Sequence, residues 1–209
     1  MSTIIMGNMV AEKEIRSSLG SNTLFEKRED GGSTITGIAA PFYSDSVDFG
    51  MWVERYDAKA FDRTLREKPD VRALVDHDTG LIVGRTTAGN LKLEVKEGGL
   101  AYEFQPPQTT LGRDLAYNVE ARILTNVSIG FMVIEEKWTK LDGGRYLRTL
   151  LDVNLWEMSF VAFPAYPETT AEARSAIFER GKALADLPPI ELQRERESRW
   201  RKLQIIKAR

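Results

Sequence analysis

Apolar positions follow two rhythms along this chain. Between Thr34 and Gln105 they come in short runs rich in β-branched and aromatic residues, broken by glycine, asparagine and aspartate. On that basis Thr34–Tyr43, Met51–Tyr56, Val71–His77, Leu81–Thr87, Leu91–Lys96 and Leu100–Gln105 are predicted strands, with Lys96-Glu97-Gly98-Gly99 as a hairpin turn. Two stretches keep a helical rhythm instead. Ala58–Glu67, behind Asp57 at the N-cap position, carries Phe61 and Leu65 at i and i+4. After Pro106-Pro107, Thr109 or Thr110 caps a helix whose Leu111, Leu115, Val119 and Ile123 form one apolar stripe. Asn126–Lys140 and Arg145–Phe163 are two long β-like runs around Leu141-Asp142-Gly143-Gly144, and Pro164 and Pro167 end the second. Beyond Thr169 the pattern turns helical, over 170–185 and, past Pro188-Pro189, over 190–209.

This pattern predicts a mainly β, α+β domain over residues 33–168. A mobile lead-in, 1–32, precedes it and a helical C-terminal appendage, 169–209, follows. The formal net charge of −2 gives no global drive toward nucleic acid or an anionic membrane. No apolar run reaches the roughly 20 residues a membrane span requires. Met1–Val10 lacks a basic n-region and a sustained apolar h-region, so no signal peptide is expected. With no cysteine, disulfides, thiol catalysis and thiolate metal ligation are excluded together. A single histidine argues against a zinc site, and neither metal nor cofactor is expected. If imidazole acid–base chemistry occurs, His77 must carry it.

Asp-Gly between two alternating runs is a strong signal for a two-residue type I′ hairpin loop. With Asp142 and Gly143 as that loop, Leu141 faces Gly144 and, further along, Ser128 faces Glu157. Their Cβ atoms would then stand roughly 4.5–5.5 Å apart on one face. Glu157 lies in the apolar run Val153 to Val161, where a carboxylate needs a partner to offset its desolvation. His77 closes a predicted strand beside a turn, where a ring can be presented. Serine, imidazole and carboxylate are the parts of a hydrolytic triad, recognised by role. Ser159 is a rival nucleophile on the same predicted face, and Asp76 or Asp78 could orient the ring in place of Glu157.

The segment from Thr34 to Thr169 resembles the prohead proteases of tailed bacteriophages, a capsid-maturation family related to the herpesvirus assemblins. The likeness runs through Gly37-Ile38-Ala39-Ala40-Pro41-Phe42, Ala60-Phe61, Val71 to Asp78, Val83-Gly84-Arg85-Thr86, Asn90 to Leu93 and Gly98-Gly99-Leu100. It continues through Val127-Ser128-Ile129-Gly130-Phe131 and Leu155 to Val161, then Pro164-Ala165. The family's general base, nucleophile and third member fall on His77, Ser128 and Glu157. One departure precedes the nucleophile: Arg122-Ile123-Leu124-Thr125 lacks the glycine expected there.

The resemblance implies an assemblin-like closed β-barrel wrapped by a few helices, and serine endopeptidase activity by acyl transfer. It implies cleavage of the scaffold segment of the major capsid protein and of the protease itself, inside the prohead assembling in the host bacterial cytoplasm. A homodimer is expected because assemblins depend on one. Oxyanion donors are sought in the loop Ala162–Tyr166, at Ala165 and Tyr166, with Arg85 and Arg113 as other candidates. The alternative is a non-catalytic scaffold or assembly protein. Its support is the basic tail, where Arg194, Arg196, Arg199 and Arg201 sit beside Trp200 and Leu203 as a solvated helix or a tether. A nucleic-acid-binding β-barrel is disfavoured, since the strand aromatics are not interleaved with a basic cluster.

Overall fold

Two long strands organise the architecture, which is seen in a computed structural model describing residues 13–17, 23–163 and 171–208. In chain order the strands are β1 Glu14–Ser17, β2 Leu24–Lys27, β3 Ser33–Pro41 and β4 Trp52–Tyr56, followed by helix α1 Asp62–Arg66. Next come β5 Arg72–Val75, β6 Asp78–Arg85, β7 Leu91–Lys96 and β8 Gly99–Phe104, then α2 Thr110–Glu120. The last elements are β9 Asn126–Lys140, β10 Tyr146–Val161, α3 Ala171–Ala185 and α4 Pro189–Lys207.

A 6-stranded sheet runs β1-β9-β10-β5-β6, with β4 also on β10, and a 4-stranded sheet runs β2-β3-β8-β7. Among the described residues the ladders thus form two sheets, joined by an isolated Phe42–Tyr56 bridge, rather than the expected closed barrel. Their facing surfaces share one apolar core. Ile35, Leu100, Tyr102 and Phe104 meet Val127, Ile129, Phe131, Met158 and Phe160, and the Phe104 and Phe160 rings lie 5.3 Å apart. Truncating a ring in such a core typically costs about 3–5 kcal/mol.

The segment 1–32, expected to be a mobile lead-in, supplies β1 to one sheet and β2 to the other. The appendage docks as well. Leu203 of α4 is fully buried against Met132 and Ile134 of β9, and Gly181 of α3 sits on the Trp138 indole, where a Cβ would come within 2.3 Å of the ring. Among the described residues no helix is long and apolar enough to cross a membrane.

Strand β10 pairs β9 along one edge, and β4 then β5, both parallel, along the other. In the gap between β4 and β5, α1 and the turn before it satisfy the free backbone of β10. Val153 N–H donates to the Ala60 carbonyl at 3.0 Å, and Leu155 N–H to Thr64 Oγ1 at 3.2 Å. The helix is shorter than predicted, because Asp57 caps a turn through Lys59 N–H at 2.9 Å and Phe61 is the helix N-cap. Thr109 caps α2 as expected, accepting from Gly112 N–H at 3.1 Å. At its other end α2 closes with Ile123 N–H to Asn118 O at 2.8 Å and Arg122 N–H to Val119 O at 3.1 Å, a Schellman motif. Arg122 there has φ 57, the conformation glycine adopts at least cost.

Toward the loop end of the ribbon, on its core side, lies a network of buried charges. Arg148 is 0% exposed, and its Nη1 donates to Glu14 and to Glu54, both at 2.7 Å, while Nε donates to Glu136 at 2.5 Å. Arg16 bridges Glu54 at 2.8 Å and Glu14 at 2.6 Å, and Arg199 of α4 reaches Glu136 at 2.8 Å. One guanidinium therefore ties β1, β4, β9 and β10 together, and Glu136 extends the tie to the C-terminal helix.

Candidate active site

The imidazole is presented by a very tight turn. Val75 of β5 pairs with Asp78 of β6, which leaves Asp76 and His77 as a two-residue loop. Both have positive φ, 46° and 58°, as a type I′ turn demands of its central residues. Aspartate and histidine are among the side chains that tolerate this region, at a cost of about 1–2 kcal/mol each relative to the right-handed form. The hairpin is fastened to the end of β10: Asp76 N–H donates to the Phe160 carbonyl, and Ala162 N–H donates to Asp76 Oδ1, both at 2.9 Å. Asp78 Oδ1 accepts from Gly80 N–H at 2.7 Å. Both alternative orienters are thus engaged with backbone.

The carboxylate that meets the ring is Glu157, whose Oε1 lies 3.1 Å from His77 Nδ1. Its Oε2 accepts the Ser159 hydroxyl at 2.7 Å, and the Lys13 ammonium touches Oε1. Burial pushes this carboxyl up, but the bonds from His77, Lys13 and Ser159 outweigh it and hold the value at about 2. Glu157 is therefore an anion at neutral pH, which places the proton on His77 Nδ1 and leaves Nε2 as the basic nitrogen.

Ser128 is carried by β9 on the same side of the sheet as Glu157, though not directly opposite it. Ser159 faces Ser128 and Glu157 faces Gly130. The expected register shifts for two reasons. Lys140 pairs with Tyr146 around a loop from Leu141 to Arg145, longer than the two-residue loop predicted, with Gly143 and Gly144 both at positive φ. A bulge at Trp156 then adds a further residue to β10 between Leu155 and Glu157. Each displacement alone would flip the face. Together they restore it.

Gly130 is where the ribbon accommodates the carboxylate. A Cβ there would stand 2.6 Å from Glu157 Cγ and Oε1, and 2.7 Å from Lys13 Cε. The Ser-x-Gly spacing thus sets a hydroxyl one alternate position from a gap filled by Glu157. Ser128 is 0% exposed, and its Oγ has no hydrogen-bond partner among the described residues. On its outer side β1 lies antiparallel, with Ser17 facing Ser128 and Ile15 facing Gly130.

Ala165 and Tyr166 fall outside the described residues. Arg85 pairs with Asp70 and Arg113 donates to the Gln108 carbonyl at 2.6 Å, so neither is directed to the Glu157 cluster by these bonds. Among the described residues there is no grouping of histidine, cysteine, aspartate and glutamate fit to hold a metal. Lys13 and the role of Gly130 were not read from the sequence. Lys13 stands alone in a polar stretch without periodicity, and Gly130 registers only as a motif letter. What the site can do chemically follows from its parts: an ionised carboxylate orients one ring nitrogen, and the other is left to take a proton from a hydroxyl on the same face.

The fold is similar to that of a known protease. It is similar to the solved structure of the bacteriophage T4 capsid assembly protease, gp21, with a TM-score of 0.50 and 13% identity over 72% of this chain and 98% of that one. A family model described as caudovirus prohead serine protease matches residues 22–183, and the chain belongs to that family. Comparison with curated proteins finds no match.

Proposed function

We propose that the chain is a serine endopeptidase of phage capsid maturation, with Ser128 as nucleophile, His77 as general base and Glu157 as the group that orients it. The observation that carries this reading is the 3.1 Å contact between His77 Nδ1 and Glu157 Oε1, on the strand face that also bears Ser128. In the reaction Ser128 Oγ attacks a peptide carbonyl while His77 Nε2 takes the hydroxyl proton. The C–N bond then breaks as the imidazolium protonates the leaving amine. Water hydrolyses the acyl-enzyme by the same steps in reverse order. Glu157 holds the tautomer and stabilises the imidazolium. Backbone N–H groups of Ala165 and Tyr166 are the proposed oxyanion donors, each worth about 3–4 kcal/mol in such sites.

The substrates proposed are the scaffold segment of the major capsid protein and the chain itself, cleaved within the assembling prohead in the host cytoplasm by a homodimeric enzyme. Family membership and the likeness of fold support the coarser part of this reading. Mass spectrometry of the purified protein tests it. The parent and Ser159→Ala should accumulate a self-inflicted nick, while Ser128→Ala and His77→Asn stay full length. A nick that persists in Ser128→Ala would remove Ser128 from the mechanism.

One observation favours a second reading, a non-catalytic assembly protein: Ser128 Oγ is buried without a partner among the described residues. Under that reading no variant differs from the parent, because none cleaves.

A further inference from the structure

Resting on the peptidase reading, we infer that Ser159 is a positioning residue, whose hydroxyl clamps the second oxygen of Glu157 so that the first stays aligned on the His77 ring. The carboxylate needs such a clamp. A glutamate carboxylate has only a broad, two-fold preference for rotation about its last bond, so its plane is set by what it bonds. Glu157 Oε1 takes two donors, His77 Nδ1 at 3.1 Å and the Lys13 ammonium. Oε2 takes the Ser159 hydroxyl at 2.7 Å. With both oxygens held the plane is defined, and with one released it can swing away from the ring.

Of the three partners Ser159 is the stiffest. The Lys13 side chain is long and 34% exposed, and His77 is carried by a two-residue loop. Ser159 has a single heavy-atom side-chain torsion and is 0% exposed. Its backbone is paired on both sides, to Ser128 of β9 and to Leu74 of β5. Spacing puts it beside the carboxylate, since residues two apart on a strand share a face. The same bond separates the roles of the two serines that face each other. Ser159 donates to a carboxylate held at about 2, and so weak a base does not remove a hydroxyl proton. Ser159 therefore stays a donor, and the nucleophile is its neighbour across the strand.

A fluorophosphonate tests this on the full chain. Ser128 Oγ bonds to phosphorus, fluoride leaves, and the hydroxyl proton passes to His77 Nε2; mass spectrometry maps and times the adduct. Ser159→Ala should fold and label Ser128 roughly ten- to a hundredfold more slowly than the parent, the loss expected of a misplaced catalytic group. Self-cleavage should slow by the same factor, so the nick still accumulates. Ser159→Thr, which restores a hydroxyl, should recover most of the rate. The ring itself gives a readout that a purely structural role would not move. In spectra of histidine-labelled protein, the His77 Nδ1 proton resonance should shift upfield in Ser159→Ala and return in Ser159→Thr. A folded Ser159→Ala that labels at the parent's rate, or keeps that resonance unchanged, overturns the clamp and leaves the peptidase reading standing. A Ser159→Ala chain that does not fold overturns the clamp too, since the hydroxyl would then hold the strands together. An adduct on Ser159, or none on Ser128 of the parent, overturns both.

Discussion

At the scale of single residues, the site depends on space as much as on charge. Glu157 can lie beneath the imidazole because position 130 has no side chain. Gly130→Ala would place a methyl 2.6 Å from Glu157 Cγ and Oε1, and only the lysine among its neighbours has a flexible end free to move away. The carboxylate must shift, and a displacement of about 1 Å in a catalytic array can cost on the order of a hundredfold in rate. We expect Gly130→Ala to retain the fold by circular dichroism and to lose self-cleavage by about that factor. His77 poses the complementary case. Its φ of 58° is held by a two-residue loop, so His77→Asn, which tolerates that conformation, should melt within about 1 kcal/mol of the parent and yet cleave nothing. A large loss of stability in that variant would mean the ring holds the hairpin together rather than serving chemistry.

At the scale of elements, the sequence revealed periodicity well and register poorly. Alternation located β9 and β10, Leu111, Leu115 and Val119 located α2, whose end the predicted stripe overran since Ile123 lies past it and is exposed, and the Thr109 cap fixed its start. The common face of Ser128 and Glu157 was predicted through a pairing that does not exist. The Asp142-Gly143 signal suggested a tight turn, the chain built a wider one, and a bulge at Trp156 compensated. Bulges depend on what the neighbouring strand leaves room for, here Gly130 opposite Glu157, and that is not written in the alternation. The tight type I′ loop proved to be Asp76-His77, which lacks the usual glycine and carries at its second position the ring that meets Glu157. Similarly, the glycine missed in the segment before Ser128 has a structural counterpart, Arg122 at φ 57 closing α2. Arg122→Gly should therefore raise stability by about 0.4–1 kcal/mol in urea unfolding, with an unchanged m-value.

At the scale of the whole molecule, one buried guanidinium joins the N-terminal strand to both sheet edges of β10 and, through Glu136, to the C-terminal helix. Arg148→Met would strand Glu14, Glu54 and Glu136 without their common partner, and breaking a buried pair in this way costs about 3–5 kcal/mol. Urea titration should show that loss, and β1 should be the first segment to lose amide protection. Acid should attack the same connections. Burial raises the Glu14 carboxyl, but the Arg148 charge and hydrogen bonds, with Arg16, bring it down to about 2, and Glu157 likewise lies at about 2. Both are depressed below their ordinary value of 4.5, so the stability they supply is complete above that pH and is lost as pH falls toward 2. Thermal melts across that window should show a falling midpoint, and Glu157→Gln should flatten part of the fall.

The central claim concerns one ring, and the chain contains one histidine, so the imidazole can be watched alone. In the 15N spectrum of histidine-labelled protein at neutral pH, His77 should be protonated at Nδ1, with a far-downfield proton resonance that is lost in Glu157→Gln. A ring protonated at Nε2, or one whose resonances are the same in Glu157→Gln, would contradict the account.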